Sequence, residues 1–174
     1  MTTLFKNCLL ALFLVPLTGC GALDFIVPKG LMDYVSPKGH KVVWESFSVF
    51  ATNDANLNSP VALDVVMLRD DATLNMVASL PASKWFASRG ELEKTFPQGL
   101  RVKSIEIAPG QTLRIPLGDF GPINDFGPGR VMAVMVFADY LTPGEHRIRV
   151  DQLQGEVLVQ LGARVFTVTA QPTK

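Results

Sequence analysis

Val131-Met132-Ala133-Val134-Met135-Val136-Phe137-Ala138 is the most continuous apolar run of the chain beyond its first twenty residues. Eight uncharged residues in a row suit a strand covered on both faces, although a short buried helix has the same composition. The β-branched and aromatic side chains of Val131, Val134, Val136 and Phe137 favour the strand.

Outward from this run the period is two. Towards the C-terminus, past the turn Pro143-Gly144, come Arg147–Val150, Glu156–Leu161 and, after Gly162, Arg164–Thr169, all alternating. Towards the N-terminus, Leu100–Ile107 and Thr112–Leu117 alternate about Pro109-Gly110-Gln111, which reads as a hairpin connection. Earlier still, Val42–Phe50 is the first strand and Val61–Leu68 the second, with Val61, Leu63, Val65 and Met67 on one face. These two read as a hairpin joined by a polar loop from Thr52 to Pro60, whose tip carries one apolar residue, Leu57. About eight short strands predict a mainly β fold, a two-sheet β-sandwich.

One stretch breaks the pattern. After Asp71, a plausible N-cap, Leu74, Val77 and Ala78 fall at helical spacing. Pro81 interrupts them, and Trp85, Phe86, Leu92 and Phe96 continue on a second helix ended by Pro97. The expectation is a small helical insertion over about 71–97. Gly118 to Arg130, rich in Gly, Pro and Asp, reads as a long loop or flap.

The N-terminus is of another kind. Lys6 is followed by an apolar run from Leu9 to Leu17, too short to span a bilayer and ended by Thr18-Gly19-Cys20. Residues 1–19 read as an export signal and residues 20–41 as a tether punctuated by Pro28-Lys29-Gly30 and Pro37-Lys38-Gly39; residues 42–174 form the domain. Leu17-Thr18-Gly19-Cys20 resembles the lipobox of bacterial lipoproteins, which makes Cys20 the lipidation site, carrying thioether-linked diacylglycerol and a further acyl chain such as palmitate. Two or more chains anchor stably where one is marginal. Gly21 in place of an aspartate points to the outer membrane by the enterobacterial sorting rule, with the domain lipid-anchored on the periplasmic face.

Composition excludes more than it assigns. Of 174 residues, 16 are Lys or Arg and 16 are Asp or Glu; loss of residues 1–19 removes Lys6 alone among them and leaves a net charge of −1. No basic surplus invites nucleic acid. Cys8 lies within the signal, so beyond Cys20 no thiol remains for a metal, a disulfide or a nucleophile. His40 and His146 are the only histidines, and no metal site is expected from them. No nucleophile elbow or phosphate loop appears. Asp70-Asp71 suits capping better than acid-base work, since it stands where a strand gives way to a helix. No catalytic residue, cofactor or small-molecule substrate is expected, and the chain is read as a non-enzyme. Trp85-Phe86 reads as an anchor for the insertion or as an interface hot spot. Arg147, Arg149 and Glu156 read as cross-strand pairs or as contacts for a charged partner.

The Asn-rich loop closed by Ser59-Pro60, the strand Val61-Ala62-Leu63-Asp64-Val65-Val66-Met67-Leu68, the helical insertion, the turn Ile107-Ala108-Pro109-Gly110-Gln111 and the late apolar strand before a C-terminal hairpin occur in a telling order. Over residues 43–169 the chain resembles the outer-membrane lipoprotein of type VI secretion systems, the TssJ/SciN family. The resemblance implies a transthyretin-like β-sandwich with helical additions. It also implies a scaffolding role: binding the large periplasmic domain of an inner-membrane protein of the secretion complex. In the family the loop between the first two strands contacts that partner, which here maps onto Asn53, Asp54, Ala55, Asn56, Leu57, Asn58 and Ser59. The competing expectation is a lipoprotein carrier holding an apolar ligand between its sheets or under the 118–130 flap.

Overall fold

Phe47, Val49 and Ala51 are fully buried while Ser48 and Phe50 between them are partly exposed, the two-residue period of a strand with one face on a core. The computed structural model to which they belong describes residues 39–120 and 131–171. The expected signal, Cys20, the expected tether to residue 38 and residues 121–130 of the expected flap lie outside the described residues.

The strands are β1 (Val43–Ala51), β2 (Val61–Leu68), β3 (Leu100–Ile107), β4 (Thr112–Ile115), β5 (Ala133–Asp139), β6 (Arg147–Arg149), β7 (Gln154–Leu161) and β8 (Phe166–Gln171). Helices α1 (Asp71–Val77) and α2 (Ala82–Thr95) interrupt them between β2 and β3. Two four-stranded sheets result, ordered β4-β1-β7-β8 and β3-β2-β5-β6. The fold is a β-sandwich with a helical layer.

Two expected hairpins are absent. β1 pairs with β4 and, in parallel, with β7, while β2 pairs with β3 and β5, so β1 and β2 lie in different sheets. β3 and β4 likewise belong to opposite sheets. Alternation tells which side chains face inwards but not which strand lies alongside, and both connections cross from one sheet to the other. Only β7 and β8 form the expected hairpin, with Leu161 opposite Phe166.

Between the sheets, Trp44, Phe47 and Phe120 pack as an aromatic cluster with centroids 5.2–5.9 Å apart. Val61, Leu63, Val65 and Met67 of β2 face this core. Val66 and Leu68 face the other way, against Val77, Ala82 and Trp85 of the helices and Phe137 of β5. β2 and β5 are therefore buried on both faces, which explains the unbroken apolar run.

The helices are fastened by one charge. Asp64, 1% exposed, accepts Trp85 Nε1–H at 2.8 Å and Arg89 Nη1–H at 3.0 and 3.2 Å. The Trp85 ring stacks on Phe137 at 5.1 Å. Trp85 is thus an internal anchor, fully buried. The helix cap falls one residue earlier than expected: Asp70 accepts Thr73 N–H at 2.8 Å in a capping box, and Asp71 is the first helical residue.

The chain joins the sandwich at the pole where β1 begins. His40 exchanges backbone hydrogen bonds with Val131 at 3.0 Å in each direction. Its Nε2 lies 2.7 Å from Asp151 Oδ2 without hydrogen-bond geometry. Asp151 is a buried hub that also accepts Arg149 Nε–H at 2.7 Å and Val134 N–H at 2.9 Å.

Candidate functional site

The strand directions place four connections at the opposite pole: β1–β2, β3–β4, β5–β6 and β7–β8. The loop singled out from the sequence, Asn53 to Ser59, lies among them. It is a strained structure rather than a plain loop. Asn56 (φ 47°, ψ 44°), Leu57 (φ 56°, ψ 43°) and Asn58 (φ 65°) stand consecutively in the left-handed region. Asparagine tolerates that region; leucine does not, and the cost for an L-residue is roughly 1–2 kcal/mol.

Neighbouring loops hold the turn in place. Asn56 is 2% exposed, and its amide reaches both ways: Nδ2–H donates to Pro60 O at 2.9 Å, and Oδ1 accepts Leu141 N–H at 2.7 Å. The backbone N–H groups of Asn56 and Leu57 donate to Gly162 O at 3.1 Å and Ala163 O at 3.2 Å. Thr52 Oγ1–H is within reach of Asp54 Oδ1 at 2.7 Å and Leu161 O at 3.1 Å, and Ala55 is fully buried. On the far side Gly110, at φ +77°, donates N–H to Ala51 O and Thr52 O. A β-carbon there would come within 2.9 Å of Asn53 Oδ1, the end of an exposed side chain that can turn aside, so it is the left-handed conformation that favours glycine.

This bracing leaves Leu57 facing solvent, 45% exposed. Two further apolar residues share its pole, Leu141 at 67% and Val165 at 61% exposure. All three belong to segments cross-linked by hydrogen bonds: Leu141 to Asn56, Leu57 to Ala163, Tyr140 Oη–H to Val165 O at 3.1 Å and Thr142 Oγ1–H to Arg164 O at 3.0 Å. Sequence reasoning finds Leu57, the lone apolar residue of an asparagine-rich loop. It misses Leu141 and Val165, whose only signal is an apolar residue beside turn residues.

Of the other expected candidates, Asp70 and Thr73 form the cap already described. Arg147 donates to Ala78 O and Leu80 O from Nη1, at 2.6 and 3.1 Å, and holds the α1–α2 link. Arg149 binds Asp151 and Met132 O. Both arginines thus have structural partners inside the fold. His40 and His146 sit at opposite poles, His146 stacked on Tyr140 at 4.7 Å. Among the described residues no three His, Cys, Asp or Glu side chains converge as metal ligands would, and none of their helices is long and apolar enough to cross a membrane.

No protein-family model matches the chain, and no curated protein sequence matches it. Among solved structures it is similar to the type VI secretion system lipoprotein TssJ1 from Pseudomonas aeruginosa, at 17% identity and a TM-score of 0.53 over 74% of this chain and 96% of that one. It is also similar to a chain of a type VI membrane complex, at 16% identity and a TM-score of 0.51 over 71% of this chain and 95% of that one. The chain has a TssJ-like fold.

Proposed function

We propose that this chain, with its TssJ-like fold, is a lipoprotein of a type VI secretion membrane complex, anchored through Cys20 to the periplasmic face of the outer membrane. Residues 1–19 are the export signal, residues 20–41 the tether and residues 42–174 the binding domain. Asn53–Ser59 captures the periplasmic domain of an inner-membrane protein, with Leu57 as the inserted side chain and Leu141 and Val165 beside it.

The observation that carries this reading is the placement of Leu57. A leucine in a left-handed turn, braced from three sides and still exposed, is a costly arrangement that stability alone does not call for. It prepares an apolar contact whose ordering entropy is already spent. Position supports it too. The chain joins β1 at one pole and the loop leaves it at the other, about 26 Å away at 3.3 Å per residue. A domain so held offers its loop away from its point of attachment, and confinement to a surface raises the effective concentration for even a modest contact. Such a role requires no catalytic group, cofactor or small-molecule substrate.

Affinity capture from detergent-extracted envelopes tests it. The full-length protein recovers an inner-membrane protein with a large periplasmic domain, and Leu57→Asp, still folded, does not. Undiminished capture by the folded variant overturns the loop assignment. Recovery of a lipid without a protein partner overturns the scaffold in favour of the apolar-ligand carrier.

A further inference from the structure

Each of the two sheets has two outer strands, and three of these four edges are defended against pairing with another chain. β3 carries Arg101, Lys103 and Glu106; β4 has four residues, includes Arg114 and runs into Pro116; β6 has three residues, two of them arginines. Such charges, prolines and short lengths are the usual protection of sheet edges. β8, Phe166-Thr167-Val168-Thr169-Ala170-Gln171, has no charge, no proline and no register shift against β7. Among the described residues no strand pairs with its outer edge.

The backbone groups facing out from that edge follow from the hairpin. Gly162 N–H donates to Val165 O at 3.0 Å, so Gly162 and Val165 form a hydrogen-bonded pair. Pairs alternate in an antiparallel ladder, which makes Gln160·Thr167, Leu158·Thr169 and Glu156·Gln171 the bonded pairs. Leu161 O pointing to Thr52 N–H on the β1 side agrees with this phase. Phe166, Val168 and Ala170 therefore turn their N–H and C=O groups away from β7.

We infer that β8 is a self-association edge, which pairs antiparallel with β8 of a second copy about a two-fold axis through Val168 to make one continuous eight-stranded sheet. A two-fold interface must be complementary to itself, and this edge is. With Val168 opposite Val168, Phe166 falls opposite Ala170, and the outward-facing groups meet in about six backbone hydrogen bonds. The inward side chains match in size: a large Phe166 meets a small Ala170, while Val168 and Ala170 extend the half-buried fringe of the core. On the solvent face the exposed Thr167 and Thr169 meet their counterparts as threonine pairs, a favourable cross-strand combination. No like charges are brought together.

The register is testable because Thr167 and Thr169 would form non-hydrogen-bonded pairs, with Cα atoms about 4.5 Å apart and within disulfide range. Full-length lipidated protein carrying Thr167→Cys is mixed in detergent with protein carrying Thr169→Cys and oxidised. The mixture cross-links, and each variant alone does not, since like positions lie on the diagonal at about 7–8 Å. Thr167→Lys with Thr169→Lys, at exposed sites, lowers the dimer fraction in sedimentation at least tenfold; Thr167→Lys with Thr169→Glu restores it. Absence of a cross-link in the mixture, equal cross-linking in all samples, or a dimer fraction indifferent to the paired charges overturns the proposal.

Discussion

Asn56 Oδ1 accepts the backbone N–H of Leu141 at 2.7 Å, 85 residues away in sequence, and this bond sets the β1–β2 loop against the β5–β6 loop. The amide's other end holds Pro60 O. Asn56→Ala leaves both backbone groups without their partner, at about 1–3 kcal/mol for each that stays buried. We expect a loss of about 2–4 kcal/mol, measured as a lower urea midpoint with unchanged slope, and a parallel loss of partner capture.

Leu57 separates stability from binding. Leu57→Gly removes the left-handed penalty of roughly 1–2 kcal/mol, set against the greater freedom of glycine in the unfolded chain. The expected outcome is stability equal to the parent or up to about 1 kcal/mol higher in urea unfolding, with capture weakened by the same protocol. A variant at least as stable yet poorer at binding marks the side chain as present for its partner.

The helical layer depends on Asp64. Asp64→Ala leaves Trp85 Nε1–H buried and unpaired and frees Arg89, at an expected cost of about 2–3 kcal/mol. Trp85→Phe keeps the stacking on Phe137 but loses one bond and some volume, and should cost less. Thermal unfolding followed by circular dichroism ranks the two, and a reversed order refutes the assignment.

Stability should fall at both ends of the pH scale, for opposite reasons. Burial pushes the Asp151 carboxyl up, but the Arg149 guanidinium, the Val134 N–H and the Arg149 charge outweigh it and hold it below the usual carboxylate value. A group with a lowered folded value stabilises above its unfolded value, near 3.9, and loses that contribution as the pH falls through the folded one. Tyr140 runs the other way. Burial pushes it up to about 12, against a backbone hydrogen bond from Gly162, so stability is lost as the pH rises from about 10 to about 12. Asp151→Asn should flatten the acid limb and Tyr140→Phe the alkaline one, read as urea midpoints across pH.

Cys20→Ser should abolish acyl labelling and release the protein from the membrane fraction. Normal labelling and retention of that variant would show the anchor to lie elsewhere.

The two-residue period revealed the sandwich because inward side chains must match one core, and β5 stood out because it has a core on each side. Strand neighbours were not legible: nothing in the alternation of Val42–Phe50 or Val61–Leu68 says that these strands part to opposite sheets. The pole was half legible. Leu57 is conspicuous among asparagines, whereas Leu141 and Val165 join it only through bonds from Asn56 and Tyr140 that span long stretches of chain. Asp64 is a lone carboxylate inside an apolar strand, but only the fold shows that it holds Trp85 and Arg89.

The parallel pairing of β1 with β7 has a consequence in time. Trp44, just inside β1, donates its indole N–H to Val150 O across 106 residues, and β1 lies in mid-sheet with no sequence neighbour beside it. The first strand therefore has no lasting place until nearly the whole chain is available, and such distant contacts close slowly. A polypeptide built this way leaves its first strand unsatisfied for longest, and sets only when its last strands arrive to flank it.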